Sequence, residues 1–194
     1  MVAALRPSIG PFSPRRSQVP SGEVLSRFWR RCRRSASTRI SSGSRLAGTR
    51  AVYLIDTNVI SEARKGDRAN RGVVAFLKEL GDSGELVFLA SITVGELRRG
   101  VELIRRRGDA DQAERLEAWL ESVVEQFGER ILSLDADAAQ VWGRLRVPNP
   151  DHALDKQIAA IALVNDLTLA TRNVADFQGL AVWLRNPFSA ERGE

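Results

Sequence analysis

Val52-Tyr53-Leu54-Ile55-Asp56-Thr57-Asn58 is the stretch on which the reading of the fold turns. Four residues of strand-forming, wholly apolar character run straight into an acid, a hydroxyl and an amide. Apolar runs that do not alternate with polar residues suit a strand covered on both faces, as in a parallel α/β sheet. The crevice of such a sheet lies beyond the carboxyl ends of its strands, so Asp56 stands where a site is expected.

The same pattern repeats along the chain. Short apolar runs predict strands near 52–55, 86–90, 131–134, 167–171 and 181–184. Amphipathic stretches between them predict helices over 59–65, 70–80, 92–106, 109–127, 136–145 and 154–164. Ser91 and Asp135 suit N-caps, because their side-chain oxygens accept from free helix N–H groups. Gly81, Gly108 and Gly128 suit helix stops. The fold class is therefore α/β, three layers with a central, mainly parallel sheet. The folded unit is expected to occupy 51–194. Trp119, Trp142 and Trp183 fall within helix or strand patterns and are expected in the core. Val73, Val74, Phe76, Leu77 and Leu80 recur on one helix face, which packs on the sheet or extends to a partner.

Residues 1–50 differ in kind. They hold eleven arginines against Glu23 as the sole acid, a balance of +10, so the formal +5 of the whole chain leaves 5 − 10 = −5 for the rest. Rich in Arg, Ser, Gly and Pro and without apolar periodicity, this segment is expected to be a disordered basic extension. Its alternatives are a transit peptide, an RNA-binding tail, or an upstream reading of a protein whose natural start is a valine codon at Val52. Cys32 is the single cysteine, which excludes a disulfide framework and a cysteine zinc site and fits a reducing cytoplasm. His152 is the single histidine, which excludes a histidine-pair metal site; it reads as a loop residue after Pro148 and Pro150. No apolar run approaches the roughly 20 residues of a membrane-spanning helix.

Four acids recur at strand ends or helix starts. They are Asp56, Glu96 in Ser91-Ile92-Thr93-Val94-Gly95-Glu96-Leu97, Asp155 in Asp155-Lys156-Gln157-Ile158-Ala159-Ala160, and Asp176 in Thr171-Arg172-Asn173-Val174-Ala175-Asp176-Phe177. Singly, each has a plain alternative: Asp56 and Asp155 as helix caps, Glu96 as a solvated helix acid, Asp176 as a turn residue. Gathered at one sheet edge, they would repel one another unless divalent cations neutralised them. Hard ions such as Mg²⁺ and Mn²⁺ take oxygen ligands and can activate water against a phosphodiester. A competing reading makes Asp56 the nucleophile of a phosphoryl-accepting domain, either a receiver or an Asp-x-Asp phosphatase. Asn58 stands where the phosphatase's second Asp would be, and Thr171 and Arg172 stand where a receiver would have its Lys.

In order and context, these four stretches resemble the PIN-domain family, specifically its VapC- and FitB-like toxin ribonucleases. The resemblance spans about residues 52–188. It implies a metal-dependent endoribonuclease using Mg²⁺ or Mn²⁺, with Asp56, Glu96, Asp155 and Asp176 matching the family's acidic cluster. Thr57, Asn58, Thr171 and Asn173 would then orient carboxylates or metal-bound water. The resemblance also implies an RNA substrate, a cognate antitoxin and a homodimer. A PIN fold that only binds RNA is the remaining alternative, and it would be signalled by loss of these acids. Arg64, Lys65, Arg98 and Arg172, with Arg68 and Arg71, are candidates for a basic rim along the RNA. Two departures stand out: Lys156 occupies a position that is often small, and the arginine-rich leader has no counterpart.

Overall fold

Beginning with the quoted stretch, β1 (Val52–Ile55) runs into α1 (Thr57–Ala63), a single-turn 3₁₀ helix (Gly66–Arg68) and α2 (Arg71–Ser83). Then follow β2 (Leu86–Ala90), α3 (Ser91–Arg106), α4 (Ala110–Phe127), β3 (Ile131–Leu132), α5 (Ala136–Leu145), α6 (Ala153–Val164), β4 (Thr168–Ala170), a 3₁₀ turn (Val174–Phe177) and β5 (Trp183–Arg185). This computed structural model describes residues 52–147 and 150–189, together with Phe28. The five strands form one sheet in the order β3-β2-β1-β4-β5, and every pairing is parallel. The sheet is thus wholly rather than mainly parallel.

Strand periodicity divides the core into two layers. Tyr53, Ile55, Val87 and Leu89 point to one face, against Val59, Ile60, Phe76, Leu77, Leu80, Leu97 and Leu120 of α1 to α4. Leu54, Phe88 and Leu169 point to the other, against Ala138 of α5 and Ile158, Ala159, Ile161 and Ala162 of α6. Burial on both faces explains why these strands read as continuous apolar runs. The α2 face formed by Val73, Phe76, Leu77 and Leu80 is buried in the first layer, so it packs on the sheet. Phe28 also belongs to that layer at 2% exposure. The remainder of the expectation for residues 1–50 lies outside the described residues.

Several boundaries differ from the sequence reading, each for a local reason. α1 begins two residues early because Asp56 caps it, its carboxylate accepting from Thr57 N. α2 runs through Gly81 and stops at Gly84, whose φ of 79° is the left-handed conformation that ends helices readily only with glycine. Ser91 is the first residue of α3 rather than its cap; Ala90 holds the cap position, with no side-chain bond. Asp135 does cap α5, accepting from Ala138 N. Gly108 and Gly128 both follow helix ends with positive φ, as expected. β3 keeps two of its four expected residues. Trp119 is buried, Trp142 is half-buried and donates to Ala153 O, and Trp183 is 65% exposed. The core expectation therefore fails for Trp183: edge strand β5 has no neighbour on one side to help cover it.

Gly72 provides a test of this packing. A Cβ there would fall 2.3 Å from the carbonyl oxygen of Pro187, a backbone atom that cannot swing aside. Alanine in place of glycine within a helix ordinarily stabilises, by up to about 1 kcal/mol. Gly72→Ala is expected instead to destabilise by about 1–3 kcal/mol, because the C-terminal segment must shift. The urea unfolding midpoint measures this, and a midpoint at or above that of the parent would refute the close approach.

A candidate acidic metal centre at the carboxyl edge of the sheet

Because β1 pairs with β2 on one side and β4 on the other, the connections leaving β1 and β4 diverge and open a crevice beyond β1. Asp56 occupies its floor at 4% exposure. Its Oδ1 accepts from Thr57 N (2.6 Å), while its Oδ2 accepts from Asn58 Nδ2 (2.6 Å) and from Thr171 Oγ1 (2.6 Å). Asn58 also donates to Thr171 Oγ1 (3.1 Å) and accepts from Arg172 N (3.0 Å), and Asn173 N donates to Thr171 Oγ1 (3.0 Å). Asp56 is thus oriented by a network stitched across the ends of β1 and β4. Two of the four proposed supporting side chains join it, Asn58 and Thr171, and Asn173 contributes only its backbone N–H. Thr57 contributes its backbone N–H.

The cleft, about 480 Å³, is lined by Asp56, Thr57, Asn58, Ser61, Glu96, His152, Ala153, Leu154, Asp155, Ile158 and Asn173. Three of the four sequence-predicted acids therefore line one cavity. Asp176, carried by the 3₁₀ turn after β4, stands beside Asp155. One ligand atom each from His152, Asp155 and Asp176 lie within 4.8 Å of one another. Glu96 and Asp56 are outside that tightest group. Asp155 sits in the first turn of α6 without capping it; the cap position belongs to His152, which makes no side-chain cap bond.

Electrostatics mark the same place. Burial pushes the Asp56 carboxyl above its ordinary value, more than its hydrogen bonds pull it down, and the charge of Asp176 adds to the rise. Asp155 is raised by burial and then by the charges of Asp56 and Asp176, with His152 opposing. Carboxylates that raise one another in a cleft form a donor set suited to a divalent cation, which removes their repulsion.

His152 was legible only as a loop residue. The missed signal is its i,i+3 spacing to Asp155 at a helix start, which brings the two to one side: Nδ1 lies 3.5 Å from Asp155 Oδ2. Four of the rim candidates are engaged within the protein. Arg64 lies over the Trp119 ring (5.7 Å), Arg172 over Phe188 (5.2 Å), Lys65 pairs with Glu62 (2.6 Å), and Arg98 bridges to Glu117.

Comparison with known proteins fits this geometry, since the PIN domain family model matches residues 53–181. The chain belongs to the PIN-domain family. Toxin FitB of Neisseria gonorrhoeae is 38% identical to this PIN domain over 143 residues, covering 71% of this chain and 99% of the relative. VapC ribonuclease Y4jK of Sinorhizobium fredii is 30% identical, covering 71% and 98%. Among solved structures, FitAcB from Neisseria gonorrhoeae superposes with a TM-score of 0.61 at 36% identity, covering 72% of this chain and all of that one. The three-layer α/β/α architecture of this PIN domain agrees with that structure.

Proposed function

We propose that this PIN domain is an endoribonuclease that hydrolyses RNA with Mg²⁺ or Mn²⁺ held by Asp56, Glu96, Asp155 and Asp176. The observation that carries the reading is the buried Asp56 carboxylate at the base of a cleft it shares with Glu96 and Asp155, raised in pKa together with Asp155. The ribonuclease name of the Sinorhizobium relative supports RNA as substrate. When bound, the cations would supply an activated water and neutralise charge gathering on the phosphate. The protein's own part is placement. Thr57 N, Asn58 and Thr171 fix the rotamer of Asp56, α3 brings Glu96 across the cleft, and the first turn of α6 brings Asp155. The phosphoryl-accepting alternative is disfavoured by its missing partners: Asn58 stands where the phosphatase's second Asp would be, and Thr171 and Arg172 stand where a receiver would have its Lys.

A toxin role, with a cognate antitoxin covering the site and a homodimer as the working unit, completes the proposal; the toxin name of the Neisseria relative supports it. We place the activity in the cytoplasm, in keeping with a chain whose one cysteine cannot form an internal disulfide. Among the described residues no helix is long and apolar enough to cross a membrane.

The test is cleavage of a mixed RNA pool by the purified chain with Mg²⁺, with Mn²⁺ and with chelator. Cleavage that requires the ion is expected. Cleavage undiminished by chelator would reject the proposal. Proton competition gives a second expectation. Both raised carboxyls are ionised only above their elevated pKa values, and their charges oppose folding of the metal-free protein there. That opposition is present at neutral pH and relieved as pH falls through the raised values. Cations bind the deprotonated form, so the rise in melting temperature on adding Mg²⁺ is expected to be larger near about pH 7.5 than near about pH 5. Differential scanning fluorimetry reads it, and an equal rise at both pH values would count against these acids as ligands.

A further inference from the structure

We propose that His152 is a nitrogen ligand of this metal centre, so that with Asp155 and Asp176 it forms a mixed nitrogen and oxygen position that favours Mn²⁺ over Mg²⁺. The inference rests on the proposed carboxylate site and adds a donor that the four-acid pattern does not contain. It stands on geometry. His152 Nδ1 is 3.5 Å from Asp155 Oδ2, and the ligand atoms of His152, Asp155 and Asp176 all lie within 4.8 Å of one another. Two donors on one ion, each at about 2.1 Å, are separated by roughly 3 Å when adjacent and about 4.2 Å when opposite. The three side chains are therefore already near the spacing of a shared coordination sphere.

The backbone presents the imidazole from a left-handed turn. His152 has a φ of 52°, a conformation that few non-glycine residues adopt, histidine being among those enriched there with asparagine and aspartate. Two bonds keep it so. Lys156, buried at 5% exposure, donates from Nζ to Asp151 O (2.6 Å), and its backbone N donates to His152 O (3.0 Å). Lys156 is thus a positioning residue for the turn that presents His152, which gives a use to the side chain that departs from the family's small residue. The chemistry follows from donor type. Imidazole suits transition ions, whereas Mg²⁺ prefers an all-oxygen shell and keeps its waters. Were His152 simply the partner of Asp155 in an exposed ion pair, it would need no third carboxylate beside it, yet Asp176 closes the group.

The experiment is pulsed electron paramagnetic resonance of Mn²⁺ bound to the full chain, beside Mn²⁺ and Mg²⁺ affinities, for the parent and for His152→Asn. Asparagine tolerates the left-handed backbone, and melting in chelator checks that the variant is folded. Expected are a directly coordinated ¹⁴N signal in the parent, its loss in the variant, and Mn²⁺ binding weakened about tenfold or more with Mg²⁺ binding changed far less. Bound Mn²⁺ without nitrogen coupling in the parent would overturn the His152 ligand while leaving the carboxylate centre intact, and that spectrum does not depend on the variant folding. Failure of Mn²⁺ to bind the parent at all would overturn both.

Discussion

Asp56→Asn is expected to lower the rate of RNA cleavage by on the order of 10³-fold or more, about 4 kcal/mol of transition-state stabilisation. The carboxylate is the most deeply buried of the four acids, and it is the one whose orientation is fixed from both sides of the central strand. Asparagine keeps the size but removes the charge. It also presents an N–H₂ group either to Thr57 N–H or to Asn58 Nδ2 and Thr171 Oγ1, so at least one of the three bonds must be lost. Single-turnover cleavage at saturating metal, with circular dichroism to show that the variant is folded, makes the measurement. A rate within tenfold of the parent would remove Asp56 from the chemistry.

Phe177→Ala is expected to have the largest effect on stability, a loss of about 3–5 kcal/mol. Phe177 is 1% exposed and sits in the second core layer with Leu54, Phe88 and Ile158, while its neighbour Asp176 faces the acidic group. The ring therefore does two things through one short turn: it fills the core and fixes the height of a carboxylate. Truncation leaves a cavity and frees the turn. Chemical denaturation should show the lost stability, and Mn²⁺ affinity should fall as well, even where the variant remains folded. A stable variant with unchanged Mn²⁺ binding would show that Asp176 is held by other means or does not reach the ion.

How much of this was written in the chain depends on the range of the interaction. Asp56 was legible because two local facts coincide there, an apolar run and an acid directly behind it, and the sheet turns that coincidence into a place. Glu96, Asp155 and Asp176 each have a plain alternative alone, and only their shared placement near the starts or ends of elements singled them out as a set. Trp183 was misread because its apolar character says nothing about whether its strand has one neighbour or two. Gly81 and Ser91 were misread because helix ends are decided by the backbone that follows: Gly84 supplies the left-handed turn, and the chain passes from Ala90 into α3 directly. His152 needed two pieces of distant information, the left-handed turn held by Lys156 and the approach of Asp176 from beyond β4. Neither can be read from its immediate neighbours.

The bond from Thr171 Oγ1 to Asp56 Oδ2 spans 115 residues of sequence. During synthesis the first acid leaves the ribosome long before the strand that orients it, and β4 in turn pairs with β5 near the end of the described chain. A growing polypeptide holding Asp56 and Glu96 alone has half of a charged cluster and lacks the Thr171 bond that completes the alignment of Asp56. For a protein able to cut RNA, more than a hundred residues would thus be translated between the first acid and the strand that completes its alignment.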